Sequence, residues 1–275
     1  MTSGVHSRIR LLAQGHTDSD IRRAVRSGDL IRLRPGWYAT TIADPETVAA
    51  VRAGGVLGCV SALRFHDLWI PPGHEGLHVR TSKYGKGRRP GSCQGVGRPL
   101  PLDDAVDSIP VALHCAVGCL PADHWVVVCD SALNSRSVTT DELRALLPTA
   151  THRIDELLAR CDPRSQSGTE TLVRLRLRAA GYEVRVQPRI RGVGKVDLRV
   201  GRLLVECDSV SHHTGLAEYR NDRRRDRKAL VGRWLKLRLT YEEVMFGWEE
   251  VFADIRAITR ADRHRRRGRH RPREG

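Results

Sequence analysis

The 275 residues carry 47 lysines and arginines against 32 aspartates and glutamates, a formal net charge of +15, and 40% of them are hydrophobic. That length allows two or three compact domains with a core in each, and the lack of a long apolar run excludes both a membrane-spanning chain and, at this apolar content, a mostly disordered one. The positive field attracts polyanions and gives a salt-sensitive, sequence-independent affinity for nucleic acid.

The opening stretch MTSGVHSRIR has no apolar region of signal-peptide type, so a cytoplasmic chain is expected. From Ser7 a helix runs through Leu12 and breaks at Gly15. Thr17-Asp18-Ser19-Asp20 then opens a second helix with Ile21, Ala24 and Val25 facing inward and Arg22, Arg23 and Arg26 on the other side. Gly28 ends it, and LIRLR and WYAT form strands around Pro35-Gly36. Helix, basic helix and basic hairpin describe a small winged helix-turn-helix over residues 1–42. Its second helix fits a major groove while Arg32 or Arg34 on the wing touches phosphate; the same fold can also serve protein contacts alone. The run GHTDSDIRRAVRSGDLIRLRPGWYAT resembles the winged-helix domain of AbiEi-type antitoxins of type IV toxin–antitoxin systems. The resemblance covers this segment only and rests on the spacing of its G, L, R, G and Y residues. It implies DNA binding, used in antitoxins for autorepression, and a toxin or regulatory protein as partner.

Residues 43–162 read as an α/β connector. Pro45-Glu46 opens a helix through Arg52, Val60 to Leu68 reads as another, and LHVRTS, VALHCAV and HWVVVCDSAL read as short strands. The stretch Lys83 to Pro101 is an exposed basic loop, able to track phosphate or simply solvated. Thr139-Thr140-Asp141-Glu142 begins a helix with a capping box, and Asp103, Asp104 and Asp130 read as caps or turns. The seven cysteines are odd in number and irregular in spacing, which predicts free thiols. His114, Cys115, Cys119 and His124 have zinc-ligating side chains, but without a paired CxxC and within apolar segments they read as buried structural residues.

Ser167-Gly168-Thr169-Glu170 is a further capping box. The helix that follows should bury Leu172, Leu175 and Ala179 and stop at Gly181. Val196 to Val200 and Leu203 to Cys207 alternate around Gly201-Arg202, the two-residue loop of a hairpin. In that register Val200 faces Leu203, Leu198 faces Val205 and Val196 faces Cys207, while on the polar face Asp197 lies opposite Glu206 and Lys195 opposite Asp208. Directly opposed carboxylates, with Cβ atoms about 4.5–5.5 Å apart, oppose folding unless neutralised. Either a divalent cation such as Mg²⁺ or arginines nearby would do so.

Glu170, the V-D-L of one strand, the V-E-C-D of the next and the following His-His resemble the Vsr-related branch of the PD-(D/E)XK nuclease superfamily, similar to the very-short-patch-repair endonuclease. The likeness extends through NDRRRDRKALVGRWLKLRLTYEEV. It implies an Mg²⁺- or Mn²⁺-dependent phosphodiesterase in which Asp197 and Glu206 hold metal, the Cys207 carbonyl assists, His212 or His213 transfers a proton and Glu170 belongs to the active site. Asp208 stands where the superfamily lysine normally lies, and Ser209 replaces the glycine that often follows. Lys195, across from Asp208 in the expected register, is either a substitute for that lysine or its cross-strand ion-pair partner.

Leu216 to Val231 reads as a basic helix whose Arg220, Arg223, Arg224, Arg225, Arg227 and Lys228 contact phosphates, with Tyr219 and Leu230 packing and Asp222 and Asp226 orienting neighbouring arginines. A strand at Leu235, Leu237 and Leu239 and a helix from Glu242 to Ile258 complete the unit, and residues 262–275 form a basic disordered tail. The expected architecture is α/β throughout: a winged helix (1–42), a connector (43–162) and a PD-(D/E)XK-like mixed sheet flanked by helices (163–261). The expected function is a metal-dependent DNA endonuclease. The alternative is a non-catalytic transcriptional regulator or antitoxin with a degenerate nuclease domain.

Overall fold

The computed structural model of the protein describes residues 2–81, 92–93, 100–146, 152–208 and 216–260. It is mixed α/β, with several small sheets, and divides into two compact units, Met1–Cys161 and Asp162–Gly275.

In the first unit, β1 (Val5–Ser7) leads straight into α1 (Arg8–Ala13) because Ser7 both ends the strand and caps the helix, its hydroxyl accepting the Arg10 N–H. Left-handed Gly15 turns the chain, and α2 (Asp18–Ser27) starts at a Thr17/Asp20 capping box and ends on left-handed Gly28. Ile21 is buried and Arg22, Arg23 and Arg26 are exposed. The antiparallel hairpin of β2 (Leu30–Arg34) and β3 (Trp37–Thr40) takes β1 on its other edge, in the order β1-β3-β2. Strand β1 has no signal in the sequence, since three residues are too few for an alternation to register.

Pro45 in its first turn and Asp44 as its cap start α3 (Pro45–Arg52) where the sequence predicts it. Val5, Trp37 and Ala39 share one buried cluster with Val51, Val56 and Ala105. Next come β4 (Val56–Leu57), α4 (Cys59–Phe65), β5 (Val79–Arg80) and β6 (Ser92–Cys93), the strands in the order β4-β5-β6. Of the described residues of LHVRTS, Val79–Arg80 are strand. The remaining elements of the unit are helices: α5 (Ile109–Ala116), α6 (Ala122–Asn134), α7 (Thr140–Leu146) and α8 (His152–Arg160). VALHCAV and HWVVVCDSAL are therefore helical, correcting the expected strands. Leu113, Cys115, Trp125, Val126, Val127 and Val128 are all buried, and a run buried on every side carries no period to separate helix from strand. The prolines decide: Pro110 lies in the first turn of α5 and Pro121 just before α6, where a missing N–H costs nothing. Thr139 and Glu142 form the expected reciprocal cap of α7.

The second unit runs α9 (Gly168–Ala179), β7 (Val184–Val186), β8 (Arg189–Ile190), β9 (Gly194–Lys195), β10 (Leu198–Val200), β11 (Leu203–Cys207), α10 (Leu216–Val231), β12 (Leu235–Leu239), α11 (Tyr241–Met245) and α12 (Trp248–Arg260). Its sheet has the order β12-β11-β10-β7, with β12 parallel to β11 and the other pairs antiparallel. The hairpin turns at left-handed Gly201, and Val200 faces Leu203 and Leu198 faces Val205, as the alternation predicts. A parallel neighbour needs a crossover, which α10 supplies. Asp222 and Asp226 fasten that helix to Arg238 and Lys236 of β12.

The predicted register stops at Leu198. Val196 clusters with Ile190, Val193, Leu204 and Ala229 of α10, the face opposite to Leu198 and Val205, and so does not join them beside Cys207. Lys195 pairs with Arg189 in the separate β8–β9 ladder, not with Asp208. The cause is a second small hairpin, turned by left-handed Gly192 and Gly194, which rotates the chain before it enters β10. Three smaller corrections follow. Ala179 and Leu230 are exposed, and the helix expected over 242–258 is parted at Phe246-Gly247, because Thr240 and Glu243 cap α11 as a helix of its own. The tail 262–275, most of the loop 83–101 and the Tyr219 side chain lie outside the described residues. No described helix is long and apolar enough to cross a membrane.

Candidate functional site

Four polar side chains converge at the end of the β10–β11 hairpin away from its turn. Glu170 lies in the first turn of α9, its N–H donating to Ser167 Oγ at 3.2 Å as the capping pattern requires. Its carboxylate, however, accepts from the Gln166 N–H at 3.0 Å and from Gln187 Nε2 at 2.7 Å. The same Gln187 nitrogen lies 3.3 Å from Asp197 Oδ1, and the Gln187 N–H donates to the Asp197 carbonyl at 2.7 Å. Asp197 Oδ2 in turn accepts the Cys207 N–H at 2.9 Å, which ties the residue before β10 to the last residue of β11.

Glu170 is 4% exposed. Burial, and after it the negative charge of Asp197, push its carboxyl up to about 7, against hydrogen bonds from Gln166, Gln187 and Ser167. Burial also raises Asp197, with Glu206 adding to it and the Cys207 N–H, Gln187 and Arg225 opposing. The Cys207 thiol is held well above its ordinary value, first by burial and then by Asp197, Glu170, Asp208 and Glu206.

Glu206 is neutralised differently. Arg225 of α10 lies 2.9 Å from it, Lys236 2.8 Å and Arg238 3.4 Å. Arg225 also donates to the carbonyls of Val193 and Lys195, so it stitches the β8–β9 ladder to the sheet and is not a phosphate-facing arginine. The arginine neutralisation weighed for the acid pair therefore applies to Glu206, while Asp197 is shared with Glu170.

Asp197 and Glu170 fit a cation of magnesium size, which takes one or two carboxylates and keeps several waters: both are hard-oxygen donors, Glu170 buried and Asp197 half-buried, whose repulsion is relieved by one neutral amide. Glu206, already held by three cations, fits less well. Among the described residues these acids belong to no group of three or more whose ligand atoms lie within 4.8 Å of one another.

His212 and His213 lie outside the described residues. Lys195 is exposed on β9 and has lost the register that set it against Asp208. Of the arginines expected to meet DNA, Arg22, Arg23, Arg26 and Arg32 are exposed in the first unit, and Arg220, Arg223, Arg224 and Arg227 on α10. Arg34 is corrected: it stacks over Trp37 at 5.0 Å and donates to the Gly55 carbonyl at 3.0 Å, so it serves the fold. Sequence reasoning missed Gln187 and Lys236. The sole signal for Gln187 was the proline after it, and that signal misleads, since a residue before proline favours an extended backbone whereas Gln187 is left-handed at φ +50°.

The four zinc candidates weighed from the sequence are not brought together. His114 and Cys115 are buried in α5, and His124 lies 2.8 Å from His74. Cys119 lies with Cys59, His78 and Cys93. Compared with known families the chain matches no family model, and it matches no curated protein.

Proposed function

We propose that the second unit is a divalent-metal-dependent DNA endonuclease domain of the Vsr-like PD-(D/E)XK kind, joined to an amino-terminal segment that contacts DNA as a winged helix. One observation carries this reading: Gln187 joins the carboxylates of buried Glu170 and half-buried Asp197 at the end of a mixed sheet flanked by helices. Asp197 and Glu170 would hold Mg²⁺ or Mn²⁺, which when bound activates water and stabilises charge developing on a phosphodiester. Gln187 orients both acids through one amide, and the burial of Glu170 limits the access of bulk water to it. The exposed Arg220, Arg224 and Arg227 of α10 hold the nucleic-acid backbone, and proton transfer falls to His212 or His213.

Nicking of a supercoiled plasmid by the full chain tests this, with Mg²⁺ or Mn²⁺ against EDTA and with metal-induced thermal stabilisation as a second readout. Asp197→Ala should abolish both cleavage and stabilisation. DNA binding that persists without a cut in any metal, and without thermal stabilisation, would overturn it.

A second reading is a non-catalytic regulator or antitoxin whose nuclease-like domain serves as a DNA or partner clamp. It is favoured by Glu206, whose charge is spent on Arg225, Lys236 and Arg238, and by Asp208 in place of a lysine. Binding that survives EDTA with no cleavage is its expected signature.

A further inference from the structure

We propose that Cys59, His78, Cys93 and Cys119 form a structural zinc site in the first unit. One ligand atom from each lies within 4.8 Å of all the others. His78 Nδ1 is 3.1 Å from Cys93 Sγ, and the Cys93 and Cys119 sulfurs are 3.4 Å apart. A tetrahedral zinc with Zn–S of about 2.3 Å and Zn–N of about 2.0 Å needs ligand atoms roughly 3.5–3.8 Å apart, so the four atoms close onto one ion with small movements. Three sulfurs and one imidazole are a structural zinc set, and with every position filled by protein no place remains for a substrate.

The ligands come from four places in the fold: the start of α4, the residue before β5, strand β6 and the turn between α5 and α6. Such a site would tie the two-residue strand β6 to the helices. Backbone detail agrees with a built site. Cys59 is left-handed at φ +50°, a conformation costly for a residue with a Cβ, and persists only where the surroundings over-determine it. The glycine before it is required, since a Cβ on Gly58 would lie 2.7 Å from Arg80 Cβ and 2.8 Å from Asp107 Oδ2. Ser61 Oγ accepts the His78 N–H at 2.9 Å and fixes the main chain there. Cys59 and Cys93 are buried while His78 and Cys119 are half-buried, which leaves an approach for the ion.

The test is metal analysis of the purified full chain by mass spectrometry after dialysis against zinc and then buffer, with cobalt substitution as a second measurement. Wild type should retain one equivalent of zinc, and its cobalt form should show tetrahedral d–d absorption with sulfur-to-cobalt charge transfer. Cys119→Ser and His78→Ala should lose most of the zinc, whereas Cys161→Ser and Asp197→Ala should keep the full equivalent, which separates this site from the acidic one. Wild-type protein without stoichiometric zinc and without the cobalt spectrum would overturn the proposal, whatever the variants do. So would equal zinc in Cys119→Ser and His78→Ala, or a Cys93–Cys119 disulfide in the protein as isolated.

Discussion

Gln187 donates to Glu170 at 2.7 Å from a left-handed backbone, and so a strained residue holds together two acids that would otherwise repel. Gln187→Ala should cost about 1–3 kcal/mol at alkaline pH, because a buried carboxylate loses its donor. Gln187→Gly, free of the left-handed penalty, should lose about 1 kcal/mol less. Urea unfolding of both variants reads the difference, and equal losses would remove strain from the account.

Folding raises the Glu170 carboxyl from 4.5 to about 7. Between those values the folded chain holds a proton that the unfolded chain has released, so stability falls as pH rises through the window and the penalty is complete above it. A shift of this size corresponds to something on the order of 3 kcal/mol. Glu170→Gln, which never ionises, should unfold at higher urea than wild type near pH 8 and lose that advantage near pH 5. Magnesium should stabilise wild type more at the higher pH, since the ion requires ionised ligands.

Glu206 is the shared counter-ion of Arg225, Lys236 and Arg238, with only 12% of its side chain exposed. Glu206→Gln should therefore destabilise the second unit by about 1–3 kcal/mol even without metal. Glu183→Gln, which removes an exposed pair with Arg185, should change stability by less than about 0.5 kcal/mol. Equal effects in chemical denaturation would show that the three cations do not depend on Glu206.

On α2, Arg22, Arg23 and Arg26 point to solvent, whereas Arg34 stacks on Trp37. Replacing the three helix arginines with alanine should lower the slope of log K against log salt for DNA binding by roughly 2–3. Arg34→Ala should leave the slope unchanged and cost about 1–2 kcal/mol of stability. A slope that falls in Arg34→Ala alone would reverse the assignment.

What the sequence disclosed followed from local rules. Thr17 and Thr139 announce helix starts through their own side chains, Pro45 opens another, and Gly201 with its flanking alternation sets the register of β10 against β11. What it concealed was settled by distant partners. Val196 fits the alternation of β10, yet Ile190 and Ala229 draw it to the opposite face. Asp197 and Glu206 were legible as acids on neighbouring strands, but the division of one to Glu170 and the other to Arg225 and Lys236 depends on α9, α10 and β12, which no local pattern around the hairpin places. Cys59, His78, Cys93 and Cys119 share no short spacing, and only the folded sheet brings them to one point.

Trp37 and Val5 pack against Val51, Val56 and Ala105, residues that the chain reaches only after its basic hairpin is complete. A fragment cut at residue 42 would carry an uncovered apolar surface and aggregate rather than report DNA affinity. Swapping that hairpin into another protein to retarget it would need the residues that cover Trp37 (Val51, Val56 and Ala105 among them) to travel with it.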